Sequence, residues 1–320
     1  MKKAVPWILL ALAPLAALLC MFAGAVDLAG MSWTGPSARA IFLLRASRVA
    51  AGFITGAALA CSGAVLQAML RNPLAEPYVL GVSGGSALGA ALAIFFGGAG
   101  ALVLPASAFF SGLLALAVVY LLAHRGSSPS LYALLLSGVI IGSICSSLLM
   151  LIISIAPAEG LHSITWWMLG NLQVASFSLL AVSASLVFAA FCGTWMMARE
   201  LNALTLGREM AHHLGVQTRF AVASGLALAT LLAASAVALA GLIGFVGLIV
   251  PHTMRVLAGP DHRRLIPASA LAGGIFLMLC DALARSVAAP VEIPVGVVTA
   301  LVGGPFFLTL LRRRRRGWSE

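Results

Sequence analysis

Ionisable side chains are the natural carriers of chemistry, and this sequence spaces few of them productively. Asp281 is the only acid well inside an apolar stretch, and Arg285 follows one helical turn later, where the two can pair. Carriers driven by protons or ions use ionisable groups at mid-membrane depth, so a single self-paired carboxylate argues against that class. It is also the one residue on which an intramembrane enzyme could be built. His212 and His213 are adjacent and point to different faces of a helix, while His252 and His262 lie apart, so zinc ligation gives way to connector and packing roles. The cysteines (Cys20, Cys61, Cys145, Cys192 and Cys280) are odd in number, lack a C-x-x-C pair and sit in apolar runs, as small buried hydrophobes do. No lysine follows Lys3, which removes any G-x-x-x-x-G-K-[ST] phosphate loop; H-E-x-x-H and G-x-S-x-G are absent too. The expectation is a chain with no catalytic residue, no metal ligand and no cofactor of its own.

Three other groups suit binding and movement. Gly207 and Gly215 bracket Arg208, Glu209, Met210, Ala211, His212, His213 and Leu214. Glu209 falls near the positive end of a short helix, and Gly215 suits the left-handed position after it. This predicts about two turns, roughly 10 Å, serving either as a knob for a soluble partner or as an ordinary amphipathic connector. Arg45 and Arg48 share a helix face, and Arg285 ends a later span on the same side. They read as a docking surface for a partner bearing carboxylates, or as arginines snorkelling to lipid headgroups. Pro/Gly-rich loops interrupt the apolar pattern at Asn72-Pro73-Leu74-Ala75-Glu76-Pro77, at Gly244 through Gly247 to Pro251-His252, and at Glu292-Ile293-Pro294-Val295-Gly296. Irregular backbone at membrane depth must be protein-buried or line a cavity, so these loops imply a pathway.

The elements that carry these groups follow from composition. Of 320 residues, 62% are hydrophobic and 9% charged, against about a quarter charged in ordinary soluble chains. With roughly 20 apolar residues per span, the chain holds about ten helices in a single polytopic domain over 1–320, an all-α membrane protein. Spans are expected near 5–25, 49–69, 79–97, 101–123, 131–156, 174–198, 220–241, 243–258, 266–288 and 294–311, the long run at 220–250 breaking at Gly241, Gly244 or Gly247. Ten spans put fourteen basic residues, including Lys2, Lys3, Arg263, Arg264 and Arg312 to Arg316, on the cytoplasmic side and four outside. That places both termini in the cytoplasm. The net charge of +10 is explained by this bias, and nucleic acid is not an expected partner. Residues 1–25 read as a retained first helix, with a cleaved signal peptide as the competing reading. The small-residue stripe Gly52, Gly56, Ala60 and Gly63 predicts close helix packing.

Asn72 to Pro77 followed by Gly81-Val82-Ser83, then Gly244 to His252, then Glu292 to Gly296 running on through Thr299 to Phe306, resemble the most recognisable stretches of one family. That family is the FecCD/BtuC-type permeases of iron-siderophore, haem and vitamin B12 ABC importers, and the resemblance covers about residues 40–311. It implies the type II ABC importer permease fold with ten transmembrane helices per subunit and a second copy of the chain forming a pathway on the two-fold axis. It also implies two ABC ATPase subunits that bind ATP and Mg, a periplasmic binding protein, and residence in the bacterial inner membrane. By position, Glu209, Ala211, Leu214 and Gly215 fall in the ATPase-coupling helix, and Arg45, Arg48 and Arg285 in the surface that meets the binding protein. Ser127 to Ser130, with Ser128 and Ser130 as the named residues, lie where the family places a cytoplasmic gate, although they match no clear pattern. A ferric siderophore is the leading cargo, with haem or cobalamin beside it. A zinc/manganese-type ABC permease is the nearest alternative.

Overall fold

The computed structural model describes residues 2–24, 36–98, 100–125, 128–174 and 176–315. Ser127 therefore lies outside the described residues, as does the side chain of Ser128. Among the described residues the regular structure is helical, apart from a two-residue antiparallel pairing of His124–Arg125 with Ser128–Pro129. The helices are α1 (Val5–Phe22), α2 (Pro36–Met69), α3 (Val82–Phe95), α4 (Val103–Ala123), α5 (Leu131–Ile155), α6 (Ala158–Met168) and α7 (Phe177–Met196). They continue as α8 (Ala198–Thr205), α9 (Arg208–His213), α10 (Thr218–Ala240), α11 (Val246–Leu257), α12 (His262–Ser286) and α13 (Val295–Arg315). Side-chain caps start several of them: Ser130 accepts from the Ala133 N–H, Ser176 from Leu179 and Asp261 from Arg263.

Each of the ten expected spans coincides with a helix: α1 to α5, α7 and α10 to α13. Seven are long and apolar enough to cross a membrane, while α3, α11 and the apolar part of α13 (Val295–Thr309) are shorter. Two helices were not anticipated. The eleven residues of α6 are too few to register as a span, and α8 is strongly amphipathic, so neither shows in an apolar-run count. Helix α2 also begins far earlier than residue 49.

Helix α2 is the axis of the packing, lying against α12, α10, α11 and α7. Its small-residue stripe explains how. A Cβ on Gly56 would collide with the Gly273 carbonyl of α12, and one on Gly63 with the Gly247 carbonyl of α11. Backbone therefore meets backbone at both crossings, the usual use of small residues where hydrophobicity gives no preference for protein over lipid. The kinks are also provided for. Pro251 lacks the N–H that would bond the Gly247 carbonyl four residues back, and the buried Gln67 amide donates to that carbonyl (3.3 Å) and to Leu248 (3.2 Å) instead. In α12, Pro267 orphans the Arg263 carbonyl in the same way, and the Trp195 indole N–H donates to it at 3.0 Å.

Candidate functional site

The short helix α9 and its neighbours form one end of the molecule. Helix α8 buries Ala198, Leu201, Ala203 and Leu204 against the bundle. Gly207, at φ 112°, turns the chain into α9. The exit is a Schellman motif: the Val216 N–H bonds the Ala211 carbonyl (3.0 Å), the Gly215 N–H bonds His212 (2.9 Å), and Gly215 sits at φ 83°. Ala211 is fully buried and anchors the turn, so among the expected coupling residues it faces the chain itself. The opposite side is unusual for a polar end. Leu206, Met210 and Leu214 are 60%, 51% and 59% exposed; Met210 and Leu214, four residues apart, share one face of α9, and Leu206 stands just before the Gly207 turn. Glu209, His212 and His213 are exposed around them. Among the described residues no group of three or more histidine, cysteine or acidic side chains could hold a metal ion.

This end is tied to the bundle by a polar clamp that the sequence did not reveal. The Asn202 side chain of α8 donates to Asp261 (2.7 Å) and accepts from the His262 N–H (2.9 Å) at the start of α12. The Asn202 amide, with the Arg263 N–H and the nearby Arg263 and Arg264 charges, holds the Asp261 carboxyl below its ordinary range against the opposing effect of burial.

At the opposite end the three arginines do not form an exposed patch. Arg45 donates to the Met21 carbonyl (3.0 Å), and Arg285 to Cys20 (3.0 Å) and Ala23 (2.9 Å). These are the last carbonyls of α1, which have no partner within their own helix; the guanidiniums satisfy them and complement the negative end of the helix dipole. Asp281, 1% exposed, bridges Arg48 and Arg285, both at 2.9 Å, and Arg48 reaches Glu292 at 2.8 Å. The side chains of Arg45, Arg48 and Arg285, expected at a docking surface, engage the chain's own carbonyls and carboxylates in this structure. The expected Asp281–Arg285 pair exists, but it is shared with Arg48.

The three motif loops converge on the break between α10 and α11. There Gly241 (φ 72°) and Phe245 (φ 69°) interrupt the helical path. Tyr78, next to Pro77, accepts from the Ile243 N–H (3.0 Å) and donates to its carbonyl (2.9 Å). The Glu76 carboxyl lies toward the Phe245 N–H. Gly296, just after Pro294, lets α13 approach the Leu169 and Leu242 carbonyls, and its N–H bonds Leu169 at 3.2 Å. Asn72 closes its own turn by accepting from Leu74 (2.9 Å). Gly244 has open space around the position of a Cβ, and His252 lies half-buried in α11. Of the gate residues, Ser130 acts as the cap of α5.

Sequence reasoning gives α5 as a span and assigns none of its residues to a site. Its outward face is apolar, with Leu136, Ile140, Ile144 and Leu151 exposed, yet Ser143 and Ser147 lie exposed one turn apart. Each hydroxyl donates to the carbonyl four residues back, at 2.9 and 3.0 Å, which makes the face tolerable to both lipid and a polar route. The recurrence of serine along this span, at Ser137, Ser143, Ser146, Ser147 and Ser154, was the available signal.

Known proteins match this arrangement. The model of the FecCD transport family matches residues 8–313. A hemin transport system permease protein, HmuU, of Yersinia pestis is 39% identical over 284 residues, 85% of this chain and 83% of that one. A cobalamin import system permease protein, BtuC, of Halobacterium salinarum is 41% identical over 271 residues, 85% of this chain and 73% of that one. Among solved structures, one described as an inward-facing ABC transporter of metal-chelate type superposes with a TM-score of 0.87 at 33% identity, covering 98% of this chain and 99% of that one.

Proposed function

The chain belongs to the FecCD transport family, and from that premise we propose that it passes a ferric siderophore, or a chelate of similar bulk such as haem or cobalamin, across a bacterial inner membrane. It is a multi-pass permease subunit of an ABC transporter rather than an enzyme. In this reading a second copy completes the route along α5, two ATPase subunits hold α9 from the cytoplasm, and a periplasmic binding protein delivers cargo at the opposite end. ATP and Mg belong to the ATPase subunits. Both termini are cytoplasmic, in keeping with the distribution of basic residues.

The observation that carries the proposal is the exposed pair Met210 and Leu214 on a helix fixed at both ends, with Leu206 exposed just before its Gly207 turn. Apolar side chains held rigidly in water mark a surface awaiting a partner, and a rigid knob can transmit the partner's displacement. Closing and opening of the ATPase pair would move α9 and, through the Asn202–Asp261 clamp, α12. The chain needs no residue that coordinates iron or cobalt, because selection of the cargo falls to the binding protein.

The experiment is reconstitution in vesicles with the binding protein, with and without the ATPase. Accumulation is expected only when ATPase and ATP are present, and concentrative uptake without them would overturn the reading. The small molecule retained by the isolated binding protein then identifies the cargo; a bare zinc or manganese ion there would favour the alternative class of ABC permease.

A further inference from the structure

A groove of about 910 Å³ runs along the outside of the bundle between α1 and α7, floored by α2, α10 and α12. Its walls are apolar, with Phe53, Val187, Phe191 and Leu232 among them. Its mouth is not. Lys3, Arg263 and Arg264 line the groove at one end, together with Trp7 and Trp195. That end is the α9 end, because Arg263 follows the Asp261 that Asn202 of α8 holds. The nearby carboxylate, Asp261, is already engaged by the Asn202 amide and the Arg263 backbone N–H.

We propose that this groove binds an anionic phospholipid of the leaflet on the α9 side, with its acyl chains in the apolar trough and its phosphodiester against Lys3, Arg263 and Arg264.

Three observations select that occupant. Along α7 the lining runs from Ala184 to Trp195, about 16 Å at 1.5 Å per residue. This matches half of a hydrocarbon core roughly 30 Å thick, so the trough has the depth of one leaflet. Tryptophans settle at the boundary between hydrocarbon and headgroups, and here both stand at the charged end. The Trp195 indole is fixed in that position by its bond to the Arg263 carbonyl that Pro267 leaves free. Clustered cations between helices at this depth recognise anionic headgroups, whereas an apolar helix laid in the groove would leave three cations facing the single carboxylate of Asp261. The inference requires only that the chain spans a bilayer, so it stands or falls separately from cargo and coupling.

The test is native mass spectrometry of the full chain purified in detergent. Phosphatidylglycerol and phosphatidylcholine with identical acyl chains are added at equal concentration. Phosphatidylglycerol should be retained preferentially. The Arg263→Gln/Arg264→Gln variant should lose that preference by about 25-fold, roughly fivefold for each charge removed, while keeping its melting temperature. Ala184→Trp, which fills the trough and leaves the charges in place, should release lipid of either headgroup. Equal retention of the two lipids by the unaltered chain would overturn the proposal, as would a preference that survives loss of both arginines. Retention unaffected by Ala184→Trp would overturn it too. A chain that carries no lipid and self-associates less with Ala184→Trp would assign the groove to a second copy, and overturn it equally.

Discussion

The two ends of the molecule treat exposure in opposite ways. At the α9 end, Leu206, Met210 and Leu214 stand in the open, while at the other end Arg45, Arg48 and Arg285 are withdrawn from it. Residue type alone would assign the roles the other way round, with arginines for a partner and leucines for the core. The difference lies in what each end owes its own backbone. Helix α1 finishes with unpaired carbonyls at Cys20 to Ala23, and arginines meet that local need. Helix α9 has both ends closed by glycine turns, so its apolar face has no duty within the chain. What a group leaves unspent is a better guide to partners than its chemical class.

The largest expected effect tests the buried end. Asp281→Ala removes the carboxylate shared by Arg48 and Arg285 and leaves two buried guanidiniums short of a counter-charge. Breaking a buried pair from one side costs about 3–5 kcal/mol, which thermal unfolding in detergent should register. A variant as stable as the parent would mean that the arginines are free to face outward.

The α9 end should answer differently. Met210→Asp with Leu214→Asp alters exposed positions, so stability should change by no more than about 0.5 kcal/mol. Association with the ATPase subunit should weaken about 100-fold, as expected for loss of a hot spot worth roughly 3 kcal/mol. Co-purification and a binding titration measure both quantities. Unfolding instead of loss of association would show that the face packs within the chain.

The smallest effect concerns the clamp behind α9. Asp261 has its folded value depressed, so its contribution is present above the ordinary carboxylate range and is lost only as pH falls through the lower, folded value. The contribution of Asp261 to hydrogen-exchange protection at the Asn202–His262 contact, read as the parent minus Asp261→Asn, should therefore stay flat between about pH 5 and pH 8. A loss inside that window would mean that Asp261 is not held by Asn202.

Much of this architecture is legible in the sequence because it is local. Ten apolar runs give ten helices, and Gly207 with Gly215 frames α9. Gly241 marks the break in the 220–250 run. The site at the opposite end is not legible, because its partners are distant along the chain. Arg285 meets carbonyls at Cys20 and Ala23, and Arg48 meets Asp281 and Glu292. A count of charges by side of the membrane sees four cations outside and cannot see a helix end that consumes two of them. The convergence of three motif loops on residues 241–245 is hidden for the same reason, since Tyr78, Gly241 and Gly296 share no local pattern.

The glycine crossings of α2 also restrict how the protein can move. Where Gly56 lies on Gly273 and Gly63 on Gly247, main chain abuts main chain with no side chain between to give way. Neither α11 nor α12 can roll about its own axis there without driving a Cβ into α2. The three helices must travel as a single block, and because Asn202 bolts α8 to the head of α12, a push on the α9 knob displaces that block whole.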